Sequence, residues 1–263
     1  MSEYVDFKRG FEIEWLELNL LNTNRPMSKS LIISLAPDID ETEIDSLFKE
    51  MRFRASQLTK PYFSIESNII SPLAAKEEIP EYYLCIYYSF YGAANSPVGT
   101  KLFENISAQA LKNFIGGEVY ALGFPAGKGL NIYLDEISKL CFETRGRRSD
   151  GTYKDDGVDV IGYKLFGDNR SSNIYVLLQC AAGIHWRQKK KIETGRWRQY
   201  IYWYDENIIS SISTVDYVSK DDWEKQASSF GLLFDRTRIY NSLYSKPVLT
   251  ELRDSVLHWV GSI

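Results

Sequence analysis

Three polar side chains, Glu143, Asp159 and Gln179, stand where the surrounding pattern asks for apolar ones. Asp159 interrupts the strand-forming run of Val158, Val160 and Ile161, and because strand side chains alternate it faces away from Val158 and Val160. Gln179 closes Ile174-Tyr175-Val176-Leu177-Leu178, a run apolar on both faces and therefore expected at the centre of a sheet. A carboxylate or an amide in either place needs a partner if it is buried. The turn from Gly167 to Ser172 joins the two strands as a hairpin, which brings Asp159 and Gln179 to one end of the sheet. Glu143, at the C-terminal end of the preceding helix, completes an oxygen-rich pocket of the kind that suits a hard cation such as magnesium. Such an ion lowers the pKa of bound water and neutralises charge developing on a phosphate.

The run Asp156-Gly157-Val158-Asp159-Val160-Ile161-Gly162, followed by a strand ending Leu178-Gln179-Cys180, resembles the hairpin of the restriction-endonuclease-like PD-(D/E)xK superfamily in its Mrr-type arrangement. That pattern has glutamate or glutamine, any residue, then lysine; here Ala181 holds the lysine position. The segment Gln179 to Lys189 is similar to bacterial sequences with a QCAxGxxWxxK run, in which a lysine on the following helix replaces the strand lysine, so Lys189 is the expected cation. The resemblance covers Glu143 to Lys189, with weaker echoes at Phe103-Glu104, at Tyr87 to Tyr91 and from Gly231 to Ile239. It implies an α/β fold with a mixed sheet flanked by helices, and a DNA endonuclease dependent on magnesium or manganese, serving bacterial restriction or antiphage defence. It also implies roles for residues. Asp159 would bind the metal directly, Glu143 directly or through water, and the carbonyl of Cys180 would supply a further oxygen. Gln179 would replace a carboxylate, with one negative charge fewer, and Lys189 would stabilise the phosphate or position the attacking water.

Basic residues flank this segment in a chain whose net charge is -4. Arg145, Arg147, Arg148 and Lys154 precede the hairpin, and Arg187, Lys190, Lys191, Arg196 and Arg198 follow it. Of these, Arg145, Arg147, Arg148, Lys190, Lys191 and Arg196 are the expected contacts to DNA phosphates. Trp186, Trp197, Tyr200 and Tyr202 would stack on bases or pack against the sheet. Asp156 has a structural alternative as the first residue of an Asp-Gly turn. Asp235-Arg236-Thr237-Arg238 reads better as a buried ion pair or cap than as a phosphate grip, and His185 and His258 have no partner that would give them a role. The glycines at 123, 127 and 129 have the wrong spacing for a phosphate loop.

The elements that must position these groups follow from the pattern. At 263 residues, 44% hydrophobic and 14% aromatic, the chain can bury a core and is neither disordered nor low in complexity. No apolar run approaches the roughly 20 residues that span a bilayer, and Glu3 and Asp6 stand where a secretory signal would be basic and apolar. A cytoplasmic protein is expected, with Cys85, Cys141 and Cys180 as buried free thiols. Helices are expected over Glu41 to Gln57, Lys101 to Phe114 and Asn131 to Phe142, then at Trp186 to Ile192, Trp223 to Phe230 and Lys246 to Val260. Strands are expected over Gly157 to Tyr163, Asn173 to Cys180 and near Ile208 to Val218. The aromatic Tyr82 to Tyr91 fits a buried helix or strand. Residues 1–98 form an expected N-terminal accessory region and 99–263 the nuclease-like domain. The accessory region would offer a homodimer contact or a surface for a partner subunit of a defence system. A second class of function stays open: a nuclease-like fold that has lost hydrolysis and serves as a nucleic-acid-binding or assembly subunit. A sugar or nucleotide hydrolase using the Asp/Glu pair is a weaker third reading.

Overall fold

A computed structural model describes residues 4–94, 96–122, 129–150, 156–204, 208–244, 246 and 248–263. Gly123, Gly127 and Lys154 lie outside these residues. The N-terminal part opens with helix α1 (Glu12–Thr23), then β1 (Met27–Ser28), α2 (Lys29–Leu35) and α3 (Glu41–Gln57). Helix α3 has the expected bounds. Asp40 accepts from the Glu43 N–H while the Glu43 carboxylate accepts from the Asp40 N–H, so the helix starts on a reciprocal capping box. Phe11 to Leu18 mixes aromatic, aliphatic and acidic residues in near alternation, yet it runs into α1, which is enclosed on nearly every side: Trp15, Leu16, Leu18, Leu20 and Leu21 are all buried. Two short strands follow, β2 (Phe63–Glu66) and β3 (Ile69–Pro72), which with β1 make a small antiparallel sheet in the order β1-β3-β2.

The dense aromatic run becomes helix α4 (Pro80–Tyr91), with Pro80 at its first turn and Gly92 beyond its last. Helix α5 (Pro97–Ile115) ends on Gly116 in the left-handed conformation, the stop that the glycine pair announces. Next come β4 (Glu118–Ala121), α6 (Leu130–Leu140), β5 (Thr144–Arg145), β6 (Val160–Lys164) and β7 (Ile174–Ala181). The rest is α7 (Thr194–Tyr200), β8 (Ile201–Tyr202), β9 (Ile209–Thr214), α8 (Lys220–Phe230), β10 (Leu232–Phe234), α9 (Arg236–Tyr244) and α10 (Thr250–Val260).

The main sheet has the order β10-β9-β7-β6-β4; β4, β6 and β7 run antiparallel, while β7, β9 and β10 run parallel. The fold is therefore a mixed α/β sheet flanked by helices. Strand β7 is central, as its two-sided apolar pattern requires, and Val160 pairs with Leu178 across the hairpin. Helix α5 lies on one face, close enough that a Cβ on Gly162 would come 2.8 Å from Leu111. On that face Val176, Leu178 and Cys180 join a core built from α1, α3, α4, α5, α9 and α10. On the other face Tyr175 and Leu177 meet Leu134 and Ile137 of α6 and Trp197 of α7. The expected division between 98 and 99 falls in the first turn of α5, and the first core runs through it without a break.

One expected element is absent. The basic segment from Trp186 to Ile192 does not form a helix of that length: a single 3₁₀ turn, Trp186–Gln188, gives way to extended backbone at Lys189. Its charged residues lack an apolar face, and the segment is pinned at its two ends, Trp186 by burial against Phe230 and Ile212 and Ile192 in the core beneath α6 and α7. The cysteines are free and buried, as expected.

Candidate functional site

The hairpin opens into a fork at the C-terminal end of β7. Below it the Asp159 N–H still donates to the Leu178 carbonyl at 2.9 Å. Above it the Cys180 N–H has no facing strand, and it donates instead to Oδ2 of Asp159 at 2.6 Å. The N–H and C=O of one strand residue point to the same side, so the Cys180 carbonyl also enters the fork. There it accepts from the Lys189 amine at 3.4 Å. Asp159, the backbone of Cys180 and Lys189 are thus brought together, as the sequence predicts, although Lys189 arrives from an extended segment and not from a helix.

The loop that delivers Lys189 is built around Trp186. Its indole N–H donates to Asp216 Oδ2 at 2.7 Å, and Asp216 is itself held by Ser89, whose hydroxyl donates to Oδ1 at 2.8 Å. The Lys189 N–H donates to the Trp186 carbonyl at 3.0 Å, so the lysine leaves the anchored turn in a fixed direction. Ala181 is buried with Trp186 and Ile212. A long side chain at 181 would displace the tryptophan, which accounts for the cation returning from the far end of the loop.

A carboxylate that was only a weak echo in the sequence lines the same cavity as Cys180 and Lys189: Glu104, which is ion-paired with Lys101 at 2.7 Å. Glu104 on α5 is one helical turn before Ser107, so both present to the same side of the helix. The Ser107 hydroxyl pairs with that of Ser213 at 2.7 Å, and Asp159, Glu104 and Lys189 are the charges that bear on the Cys180 thiol. Burial pushes the Cys180 thiol well up, and the two carboxylates push it further, so it stays protonated and offers its carbonyl rather than a thiolate. The available signal was positional: Glu104 sits at the edge of the apolar stripe of Phe103, Ile106 and Ala110 on the helix that packs against the hairpin.

Glu143 does not reach the fork. It lies at the opposite end of β7, where its Oε1 accepts from the Ser172 N–H at 2.9 Å and from the Tyr175 hydroxyl at 2.7 Å. Tyr175 and Cys180 are five residues apart in one strand, about 17 Å at roughly 3.3 Å per residue. The expectation that Glu143 binds the metal is corrected: the chain turns at Cys141 and Phe142, and the carboxylate is drawn into the hairpin's closed end. Glu143→Gln should therefore leave any fork chemistry unchanged while lowering stability by about 1–3 kcal/mol, read from urea unfolding beside an activity assay.

Gln179 is at the fork in sequence, but alternation sends its side chain to the face of Tyr175 and Leu177, opposite Cys180. Its Oε1 is buried without a hydrogen-bond partner. Asp156 and Gly157 both have positive φ, 50° and 77°, so the Asp-Gly turn before β6 is real. Asp156 is then fastened to α7 by an ion pair with Arg196 at 2.5 Å.

That pair takes Arg196 out of the expected phosphate contacts. Arg145 is also corrected: its Nε donates to Asp135 at 2.8 Å and its Nη2 to Asn131 at 2.9 Å, so it braces the turn after α6. Arg187 is paired with Asp222 at 2.9 Å. Arg147, Arg148, Lys190 and Lys191 remain exposed, with Arg148 only 3.6 Å from Asp135. Trp186, Trp197 and Tyr200 are buried and pack, whereas Tyr202 is exposed. In the last part of the chain Arg236 is a buried ion-pair member and Asp235 caps α9 by accepting from the Arg238 N–H at 2.9 Å.

The oxygen donors at the fork suit a hard cation in kind: the Asp159 carboxylate, the Cys180 carbonyl and, in the wall of the same cavity, Glu104. Among the described residues no group of three or more His, Cys, Asp or Glu side chains is placed to hold a metal ion, so neutral oxygens would have to complete the shell. No helix among them is long and apolar enough to cross a membrane. No protein-family model, curated protein or solved structure matches the chain.

Proposed function

We propose that the chain is a metal-dependent endonuclease that hydrolyses phosphodiester bonds in DNA. The observation that carries the reading is the fork itself, where Asp159 holds the Cys180 N–H and the Lys189 amine reaches the Cys180 carbonyl. A lysine and a carboxylate meeting at the backbone of one strand-end residue is the arrangement that the PD-(D/E)xK resemblance implies. The order of elements supports it too. Helix α5, the antiparallel strands β4, β6 and β7, helix α7 and the parallel strand β9 occur in the order of that fold, with α6 and β5 inserted between β4 and β6 and β8 before β9. A place in restriction or antiphage defence rests on the resemblance alone.

In this reading Asp159 and Glu104 hold a magnesium or manganese ion, with the Cys180 carbonyl completing the shell on the protein side. The ion would supply an acidified water and charge neutralisation. Lys189 contributes a fixed positive charge beside the phosphate, where negative charge grows as water attacks and the leaving oxygen departs. The Asp216–Trp186 contact keeps that amine on target, which limits the reorganisation needed during reaction. Exposed Lys190, Lys191, Arg147 and Arg148 would meet the backbone of the nucleic acid.

Lys189→Ala should lower the cleavage rate by about 10²-fold or more at saturating metal. Lys190→Ala and Lys191→Ala should cut nearly as wild type, each reducing the dependence of log binding constant on log salt by about 0.9. Cleavage by Lys189→Ala at the wild-type rate overturns the assignment. The second reading, a related fold that binds nucleic acid without cutting it, is favoured by one observation: the strand lysine is replaced by Ala181, which is sealed under Trp186.

A further inference from the structure

We infer that a cavity opening from the fork receives an unstacked nucleobase, which makes single-stranded DNA, or duplex DNA with an unpaired base, the preferred substrate. The inference rests on the endonuclease reading for what happens at the phosphate, and on separate residues for the base. The cavity has a volume of about 810 Å³ and includes Glu104, Cys180 and Lys189 in its wall. It extends from them to Phe11, Phe90, Tyr91 and Ile184. Phe90 is buried, whereas Tyr91 and Ile184 are 53% and 58% exposed, two large side chains left open to solvent on one cavity.

The walls are set before any ligand enters. The Tyr91 ring packs against Tyr87 and Phe90 with centroids 4.6 and 4.8 Å apart. Lys8 places its amine 4.0 Å from the centre of the Phe11 ring and donates to the Phe90 carbonyl at 3.1 Å. Aromatic faces with a cation among them suit a planar group that is apolar on its faces and carries polar atoms on its edge. Thr100 and His185, also in the wall, add polar atoms.

Continuity with the fork decides the occupant. The cavity shares Glu104, Cys180 and Lys189 with the fork, so in a bound nucleic acid a base held in it belongs to a nucleotide whose phosphate is handled there. The volume is within the ~300–1,000 Å³ of small-molecule sites, enough for a nucleotide and too little for stacked base pairs. Taking a base from a matched duplex costs a few kcal/mol of pairing and stacking, a cost that a single strand or an unpaired base avoids. The N-terminal part thereby gains a function: Lys8 and Phe11, just before α1, and the last turn of α4 build the base pocket, while α5 and the hairpin build the phosphate site.

The test uses the whole chain with EDTA present and three fluorescent oligonucleotides containing 2-aminopurine: a single strand, a matched duplex, and a duplex with the probe opposite an abasic site. The single strand and the abasic duplex should bind with quenched fluorescence, and the matched duplex about tenfold more weakly. Tyr91→Ala and Ile184→Ala, both at exposed positions, should each weaken single-strand binding by about tenfold without altering thermal unfolding, while Tyr91→Phe retains it. Wild-type affinity and quenching in both alanine variants, or equal binding of strand and matched duplex, overturns the pocket. Cleavage with magnesium, run in parallel, separates the two claims. A wild type that binds and quenches but cuts in no metal upholds the pocket and removes hydrolysis. One that cuts while the alanine variants quench unchanged removes the pocket and upholds hydrolysis, and one that neither binds nor cuts removes both.

Discussion

Asp159→Asn should give a folded protein that has lost metal-dependent cleavage, by about 10²–10³-fold or more. The asparagine retains an oxygen able to accept from the Cys180 N–H, the bond that closes the fork at 2.6 Å, so the hairpin end keeps its shape. What disappears is the negative charge. With Gln179 neutral and Glu143 at the other end of β7, only Glu104 would remain to balance a divalent ion among the groups at the fork. Metal affinity should fall with the rate, and raising the magnesium or manganese concentration should recover part of the activity. Calorimetric metal titration and cleavage kinetics on the same preparation measure both effects. Unaltered cleavage by Asp159→Asn would show that the fork is not where the reaction occurs.

The second large effect concerns stability. Arg236 is buried completely at the start of α9, with Nη2 at 2.8 Å from Glu14 and 3.0 Å from Glu17 of α1, and Nε donating to Tyr82 of α4 at 3.2 Å. Arg54 of α3 adds a second cation at 3.2 and 3.3 Å from the same glutamates. Two arginines and two glutamates form the centre of the network, and Glu50 extends it through Arg54 at 3.0 Å. Arg236→Met fills similar volume but leaves the two glutamates with one buried cation, and should cost about 3–5 kcal/mol, seen as a lower urea midpoint at unchanged slope.

The pH dependence of that loss has a definite sign. Burial pushes the Glu14 carboxyl up, but Arg236 and Arg54 together outweigh it and hold the group down at about 2. A depressed carboxylate stabilises the fold above its unfolded pKa, here 4.5, and loses that contribution as pH falls through the folded value. The gap between wild type and Arg236→Met should therefore be full at pH 6–7 and shrink between about pH 4.5 and 2. An equal gap at pH 7 and pH 3 would show that Arg236 acts through packing alone.

Local signals carried much of the fold. Asp40 and Glu43 mark the start of α3 to the residue, Gly116 marks the end of α5, and two-sided apolarity places β7 at the sheet centre. Helix α1 was harder to read, because burial on nearly every side erases the period of 3.6 that an exposed face creates. The segment after β7 misled for the opposite reason: charged residues with good helix propensity lack an apolar face to hold a helix, and the burial of Trp186 and Ile192 at its two ends decides their path.

At the site, Asp159, Cys180 and Lys189 were legible because a strand polar residue and a short loop constrain one another within a few residues. Glu143 was not, since sequence distance cannot say to which end of a strand a preceding turn delivers its carboxylate. Arg145 and Arg196 looked like phosphate contacts by charge alone, yet each has an acidic partner, Asp135 and Asp156, supplied by another element. Glu104 lay far from the hairpin in sequence, and only the packing of α5 against the sheet brings it near Cys180.

The most direct measurement is cleavage by the wild-type protein of single-stranded and supercoiled DNA in magnesium and in manganese, each with an EDTA control. The account expects cutting that requires the metal, disappears in EDTA and favours the single strand. Binding to DNA that weakens with salt, without cleavage in either metal, would contradict it and leave a fold of this kind that grips nucleic acid without cutting it.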